Sequence, residues 1–261
     1  MVIAMDGPAC SGKSTLAVEV ANKIGFHFLN TGMIFRAITY LLLKNHIDIT
    51  NTQLLQDILN NTKIDVDYAD GRQIVYVNGE DTSNIVSTPE VAKYTSPFSQ
   101  NPIIRQEVVK IQRKFSKKYN LVIEGRDIGT EVFPDAKYKF FITASIQART
   151  NRRYETMKVQ YPNITKEEIE ESLKQRDFND STRKISPLRQ ADDAVLIDTS
   201  NDTINESINK IISRHIGINN CFNVLFLASI KFTSNFHITT IFMLILAFFR
   251  HIIELFLPFD V

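Results

Sequence analysis

The sequence predicts an α/β fold with a mostly parallel sheet, and three observations point to it. Short apolar runs of strand length alternate with segments of helical periodicity. A glycine-rich loop stands between the first such run and the first such helix. The composition, 44% hydrophobic and 23% charged over 261 residues, suits one sizeable core with an appended subdomain.

Taken in order, Val2-Ile3-Ala4-Met5 is an apolar strand ending at Asp6-Gly7, and Thr15 to Ile24 is a helix with Leu16, Val20 and Ile24 on one side. Phe26 to Leu29 reads as a second strand. Thr31-Gly32 leads into a helix over Met33 to Leu43, with Ile34, Ile38, Leu41 and Leu42 apolar. Between residues 64 and 86 the rhythm changes. Ile64 to Tyr68 and Ile74 to Val77 alternate apolar with polar across Asp70-Gly71, and Asn78-Gly79 offers another turn, the pattern of antiparallel hairpins. Pro102 to Tyr119 returns to helix along Ile104, Val108, Ile111 and Phe115. Leu121 to Ile123 and Tyr138 to Ile142 are short buried strands, each with a helix expected after it. Val195 to Asp198 is the last strand, and Ile204 to Ile216 the last helix.

The net charge of +1 excludes any global electrostatic case for a nucleic-acid or membrane partner. Cys10 and Cys221 are far apart, and Cys10 lies in the glycine-rich loop, so no disulfide is expected and reducing cytoplasm fits best. No basic stretch followed by an apolar run marks a signal peptide. Composition shifts near residue 217. Nine of the 18 phenylalanines fall in 217–261, where only Lys231, Arg250, Glu254 and Asp260 are charged. The longest uncharged apolar stretch there, Ile238 to Phe249, is shorter than the roughly 18 residues of a spanning helix. We therefore separate a domain at 1–216 from an apolar C-terminal extension at 217–261. The extension reads either as a membrane-associated hairpin or as an accessory or appended segment.

Gly7-Pro8-Ala9-Cys10-Ser11-Gly12-Lys13-Ser14 satisfies the P-loop pattern: amides cradle phosphates, the lysine reaches the transferred group and the hydroxyl reaches Mg²⁺. The bland alternative is a glycine turn with an incidental lysine. Placement between strand and helix, which aims a helix N-terminus at an anion, favours the functional reading.

A P-loop alone does not separate a kinase from a nucleotide switch. No Asn-Lys-x-Asp segment reads a guanine base; Asn22-Lys23-Ile24-Gly25 lacks the aspartate. A second, anionic substrate needs a cationic pocket, and Arg36, Arg105 and Arg126 supply charge on segments that follow strands. Singly, each is an ordinary surface arginine. Arg126, just past a strand, should share the crevice at the carboxyl ends of the sheet with the P-loop. Arg149, Arg152 and Arg153 recur at one helix face, and Arg176, Asp180 and Arg183 at another, as two facing lid helices would. An exposed Arg176–Asp180 pair is the plainer alternative.

These segments also resemble a known family. Asp6-Gly7-Pro8 with Gly12-Lys13-Ser14-Thr15, Thr31-Gly32-x-x-Phe35-Arg36, Glu124-Gly125-Arg126-Asp127-Ile128-Gly129-Thr130 with Phe133-Pro134-Asp135-Ala136, and Arg176-Asp177 leading to Ser186-Pro187-Leu188 are similar to bacterial cytidylate kinases over about residues 1–216. The resemblance implies a P-loop core, a hairpin-containing CMP-binding insertion near 63–95 and a helical lid near 147–185. It implies phosphoryl transfer from ATP, with Mg²⁺, to CMP or dCMP. A monomer is the default expectation, since the net charge and core motifs mark no obvious self-complementary face.

The roles implied by the resemblance fall on particular residues. Gly7, Pro8, Ala9, Cys10, Ser11, Gly12, Lys13, Ser14, Thr15 and Arg153 hold ATP, with Ser14 on the metal. Thr31, Arg36, Ser96, Arg105, Arg126, Asp127, Arg176 and Asp180 hold the acceptor, and Lys13, Arg126 and Arg183 serve the transferring phosphoryl group. Asn30, Phe35 and Glu124 depart from the aspartate, tyrosine and aspartate common at those places. A related small-molecule kinase, or a P-loop switch, is the competing reading.

Overall fold

A computed structural model of the chain describes residues 1–69 and 72–212. Its central layer is a five-stranded, all-parallel sheet in the order β2-β6-β1-β7-β8, formed by β1 (Val2–Asp6), β2 (His27–Asn30), β6 (Leu121–Gly125), β7 (Tyr138–Thr143) and β8 (Val195–Asp198). Central strands covered on both faces must be apolar throughout. Ile3, Ala4 and Met5 of β1 and Leu121, Val122 and Ile123 of β6 are accordingly fully buried.

Register brings the carboxyl ends of the central strands to one edge. Asn30 pairs with Glu124, Glu124 with Met5, Asp6 with Gly125 and Thr143 with Asp198. The P-loop leaves this edge into α1 (Lys13–Ile24), and α2 (Thr31–Lys44) starts beside it, capped by the Asn30 carboxamide, which accepts the Met33 amide at 3.2 Å. The side chain at 30 is thus occupied as a helix cap.

The hairpin forms as expected from its alternation. β3 (Ile64–Ala69), β4 (Arg72–Val77) and β5 (Glu80–Asp81) make an antiparallel three-stranded sheet. Its Ile64, Val66, Val75 and Val77 share one apolar cluster with Ile34, Ile38 and Leu42 of α2, so the insertion is packed into the main core. Buried Gln73 turns inward and clamps the Asn30 backbone, accepting its amide at 2.6 Å and donating to its carbonyl at 3.3 Å. The turn at Asp70-Gly71 lies outside the described residues, as does everything beyond Ile212, including the 217–261 extension.

Helix α5 (Pro102–Ser116) buries Ile104, Val108, Ile111 and Phe115, but also Arg105 and Gln112. Two elements are additional to those read from the sequence. α3 (Thr52–Asn60) buries Leu55 and Leu59, and α4 (Pro89–Phe98) buries only Val91 and carries Pro97 within it. No α-helix follows β6. A short π-type turn, Ile128–Val132, forms instead, because the Asp6 carboxylate takes the amides of Ile128 and Gly129. The lid segment holds α6 (Ile146–Met157) and α7 (Lys166–Thr182), and α8 (Ile204–Ile211) closes the described chain. No helix among the described residues is long and apolar enough to cross a membrane.

Candidate active site

The P-loop geometry rests on two positions that require glycine. Gly7 has φ of 146°, and a Cβ there would sit 2.0 Å from the Ile142 carbonyl oxygen of β7. Gly12, at φ 89°, is the left-handed residue from which α1 departs. Lys13 is 5% exposed, and its ammonium donates to the Pro8 carbonyl at 2.5 Å and the Ser11 hydroxyl at 3.4 Å. Burial first, then the neighbouring Arg126 charge, lowers its pKa to about 7, partly offset by Glu124. Such a lysine gains from any phosphate that enters the loop.

Ser14 and Glu124 face each other across the loop, the hydroxyl lying 2.7 Å from both carboxylate oxygens. A hydroxyl and a carboxylate at the mouth of a phosphate loop form the hard-oxygen donor set that suits Mg²⁺. With Lys13 and Ser14 they line a cavity of about 550 Å³ that also receives Arg36, Arg126, Arg153 and Arg176. A second cavity of about 420 Å³ shares those four arginines and adds Thr31, Ser96, Arg105, Asp127, Asp180 and Arg183. Every residue assigned to the acceptor by resemblance lines this second cavity.

Its carboxylates are held by arginines. Asp127, 3% exposed, pairs with Arg105, whose Nε also donates to Ser186 Oγ at 3.3 Å and whose NH1 donates to the Ser99 carbonyl at 3.1 Å. Arg126 Nε donates to Asp180 at 2.8 Å. Buried Arg183 NH2 lies 3.8 Å from Asp127 Oδ1 and lacks a hydrogen-bond partner. Burial, then repulsion from Arg105, lowers the proton affinity of Arg183; burial, then Arg126, does so for Arg176; and burial, then Arg153, does so for Arg36. Guanidinium groups stay charged even so. Crowded cations of this kind are relieved by a bound anion.

Two expectations about the lid are corrected. Arg183 is not part of the α7 face; it is the residue after the helix, in extended conformation, and its Nε donates to the Ser186 carbonyl. Nor do the three α6 arginines act together. Arg149 donates to the Ala9 carbonyl at 3.3 Å and to Asp177 of α7 at 2.5 Å, and Arg152 is bonded to Thr199, so only Arg153 lines the cavities. The i, i+3, i+4 spacing spreads these side chains enough for separate partners to claim them. Asp177 and Ala9 thereby tie both lid helices to the P-loop.

Three positions escaped the sequence reading: Asp6, Gln73 and Gln112, the last donating to the Thr31 hydroxyl at 2.8 Å. A polar residue on an otherwise apolar strand or helix face was the available signal in each.

A family model described as cytidylate kinase matches residues 3–216. Proteins named cytidylate kinase from Bacillus anthracis, Bacillus cereus and Bacillus thuringiensis are each 40% identical to this chain over 217 residues, covering 83% of this chain and 96% of theirs.

Proposed function

The chain belongs to the cytidylate kinase family, and from that membership we propose that it transfers the γ-phosphoryl group of ATP to CMP and dCMP across the wall shared by its two cavities. One observation carries the reading: Arg36, Arg126, Arg153 and Arg176 line both the cavity of Lys13 and the cavity of Asp127. Two anionic substrates bound on either side would bring their reacting phosphates together there.

The P-loop from Gly7 to Thr15 holds the donor phosphates, and Lys13 leaves the Pro8 carbonyl for the transferring group. Ser14, with Glu124 acting through water, would hold Mg²⁺, which supplies charge neutralisation between the donor phosphates. Arg36 and Arg126 orient the acceptor phosphate, which is mostly dianionic at pH 7 and needs no general base. One of its oxygens forms the new P–O bond as the bond to the ADP leaving oxygen breaks, in line. Arg126, Arg153 and Arg183 meet the charge on the moving group, and the lid helices exclude water that would otherwise accept it.

Cytosine offers an amine donor at C4 beside acceptors at N3 and O2. The Asp127 carboxylate accepts the first, and Arg105 and Ser96 donate to the others. Uracil places a carbonyl against Asp127, leaving buried groups unpaired. Arg176 and Asp180 reach the sugar. The test is a panel of CMP, dCMP, UMP, AMP and shikimate with Mg-ATP and the full chain. CMP and dCMP should be the best acceptors, with UMP slower by about 10²-fold. A preference for any other acceptor overturns the assignment.

A further inference from the structure

Asp6 is the last residue of β1 and directly precedes the P-loop, yet its carboxylate serves a different segment. Oδ1 accepts the Ile128 amide at 2.9 Å and Oδ2 the Gly129 amide at 2.7 Å. These are the first two residues of the π-type turn, and Arg126 and Asp127 immediately precede them. Asp6 is 5% exposed. Burial, with the nearby Asp127 charge, pushes its carboxyl up to about 6, against the two amides and Lys13, which pull it down.

The same turn is backed from β7. A Cβ on Gly129 would meet Lys139 Cδ at 3.2 Å, and the buried Lys139 ammonium is itself anchored by Asp193 at 2.8 Å and by the Pro134 carbonyl. The turn is therefore gripped through its amides on one side and packed against a lysine stem on the other. A buried carboxylate satisfied by backbone amides fixes their direction strongly, because bonds to a charged acceptor are short and directional.

We propose that Asp6 is a positioning residue for the acceptor base: by holding Ile128 and Gly129 it aims Asp127 and Arg126 into the acceptor cavity and joins that turn to the strand that launches the P-loop. The inference rests on the reading of Asp127 as the cytosine ligand. An asparagine at position 6 fits the space but offers one acceptor and one amine, so one turn amide loses its partner and faces a donor.

The test is steady-state kinetics of the full chain and its Asp6→Asn, Gly129→Ala and Asp127→Asn variants with Mg-ATP and either CMP or UMP, alongside melting temperatures. Asp6→Asn should raise KM for CMP about tenfold, leave KM for ATP within about twofold and narrow the CMP-to-UMP ratio of kcat/KM at least about fivefold. Gly129→Ala keeps every charge and shifts the turn by tenths of an ångström against Lys139, so it should narrow the same ratio less. A folded Asp6→Asn protein that melts earlier but keeps the wild-type ratio overturns the proposal; if that variant does not fold, an unchanged ratio in Gly129→Ala does so. Asp127→Asn separates the two layers. An unchanged ratio there removes the base-ligand reading itself, whereas a ratio that falls in Asp127→Asn alone removes only the role of Asp6.

Discussion

The donor and acceptor halves of the cleft treat their cations differently. Among the described residues Lys13 bonds only the Pro8 carbonyl and the Ser11 hydroxyl, and Arg153, the arginine given to ATP, makes no ion pair. Arg105 and Arg126 are instead paired with Asp127 and Asp180, and Arg183 lies 3.8 Å from both carboxylates. A polyphosphate brings its own negative charge, so cations that await it need no carboxylate. A base presents both donors and acceptors, and a carboxylate must be aimed to read it. The Arg105 pairing holds Asp127 in place.

The sharpest way to break this contrast is at Lys13. Replacing it with methionine should reduce turnover of CMP on the order of 10³-fold while leaving the melting temperature unchanged or higher, since it removes a buried amine that burial and Arg126 disfavour. Coupled ADP release and thermal melts measure both, and near-normal turnover by a folded variant would sink the P-loop assignment. At the acceptor end the stability effect reverses. Asp127→Ala leaves Arg105 buried without its carboxylate, a loss of about 3 kcal/mol. In a domain of this size that lowers the melting point by roughly 6–12 °C. Equal melting of the two variants would erase the distinction between the halves.

The same contrast explains what was legible in the sequence. The donor loop is one contiguous string whose glycines and lysine have fixed backbone duties, so Gly7 to Ser14 could be read directly. The acceptor cavity is assembled from α2, α4, α5, the end of β6, α6 and α7, and no local pattern joins Ser96 to Arg105 or Asp127. Only the resemblance brought them together. Helix α4 carries Pro97, a helix breaker, inside it and buries a single valine, and the turn after β6 replaces the expected helix because its organiser, Asp6, is more than 120 residues away. Periodicity likewise put Arg149, Arg152 and Arg153 on one face but says nothing of which partners claim them.

A smaller effect separates Asp6 from the paired carboxylates. Its pKa is raised from 3.8 to about 6, so between those values the folded chain keeps a proton that the unfolded chain releases. The stability this gives is present below about pH 4, is lost as pH rises to about 6 and is flat above. Its size is on the order of 3 kcal/mol. Other carboxylates slope oppositely, so the measurement is the difference in urea midpoint between wild type and Asp6→Asn from pH 4 to 7. A flat difference would mean that Asp6 is charged throughout that range.

The smallest effect is expected from the largest change, deletion of residues 217–261. All proposed site residues precede residue 190, the parallel sheet is complete at Asp198, and the family match stops at residue 216. The residues proposed for both halves of the cleft all lie among the described residues, so the contrast between them should survive its removal. CMP turnover per folded molecule should stay within about twofold of the full chain, since catalysis here depends on positioning by the described core. The extension's phenylalanine-rich, charge-poor composition should instead govern handling, and the full chain should aggregate or partition to membranes more than the truncated one. Expressing both lengths and comparing specific activity with the soluble fraction tests the two effects separately. A truncated protein that folds but fails to phosphorylate CMP would place a functional contribution in the extension and end the claim that the two halves of the cleft are sufficient.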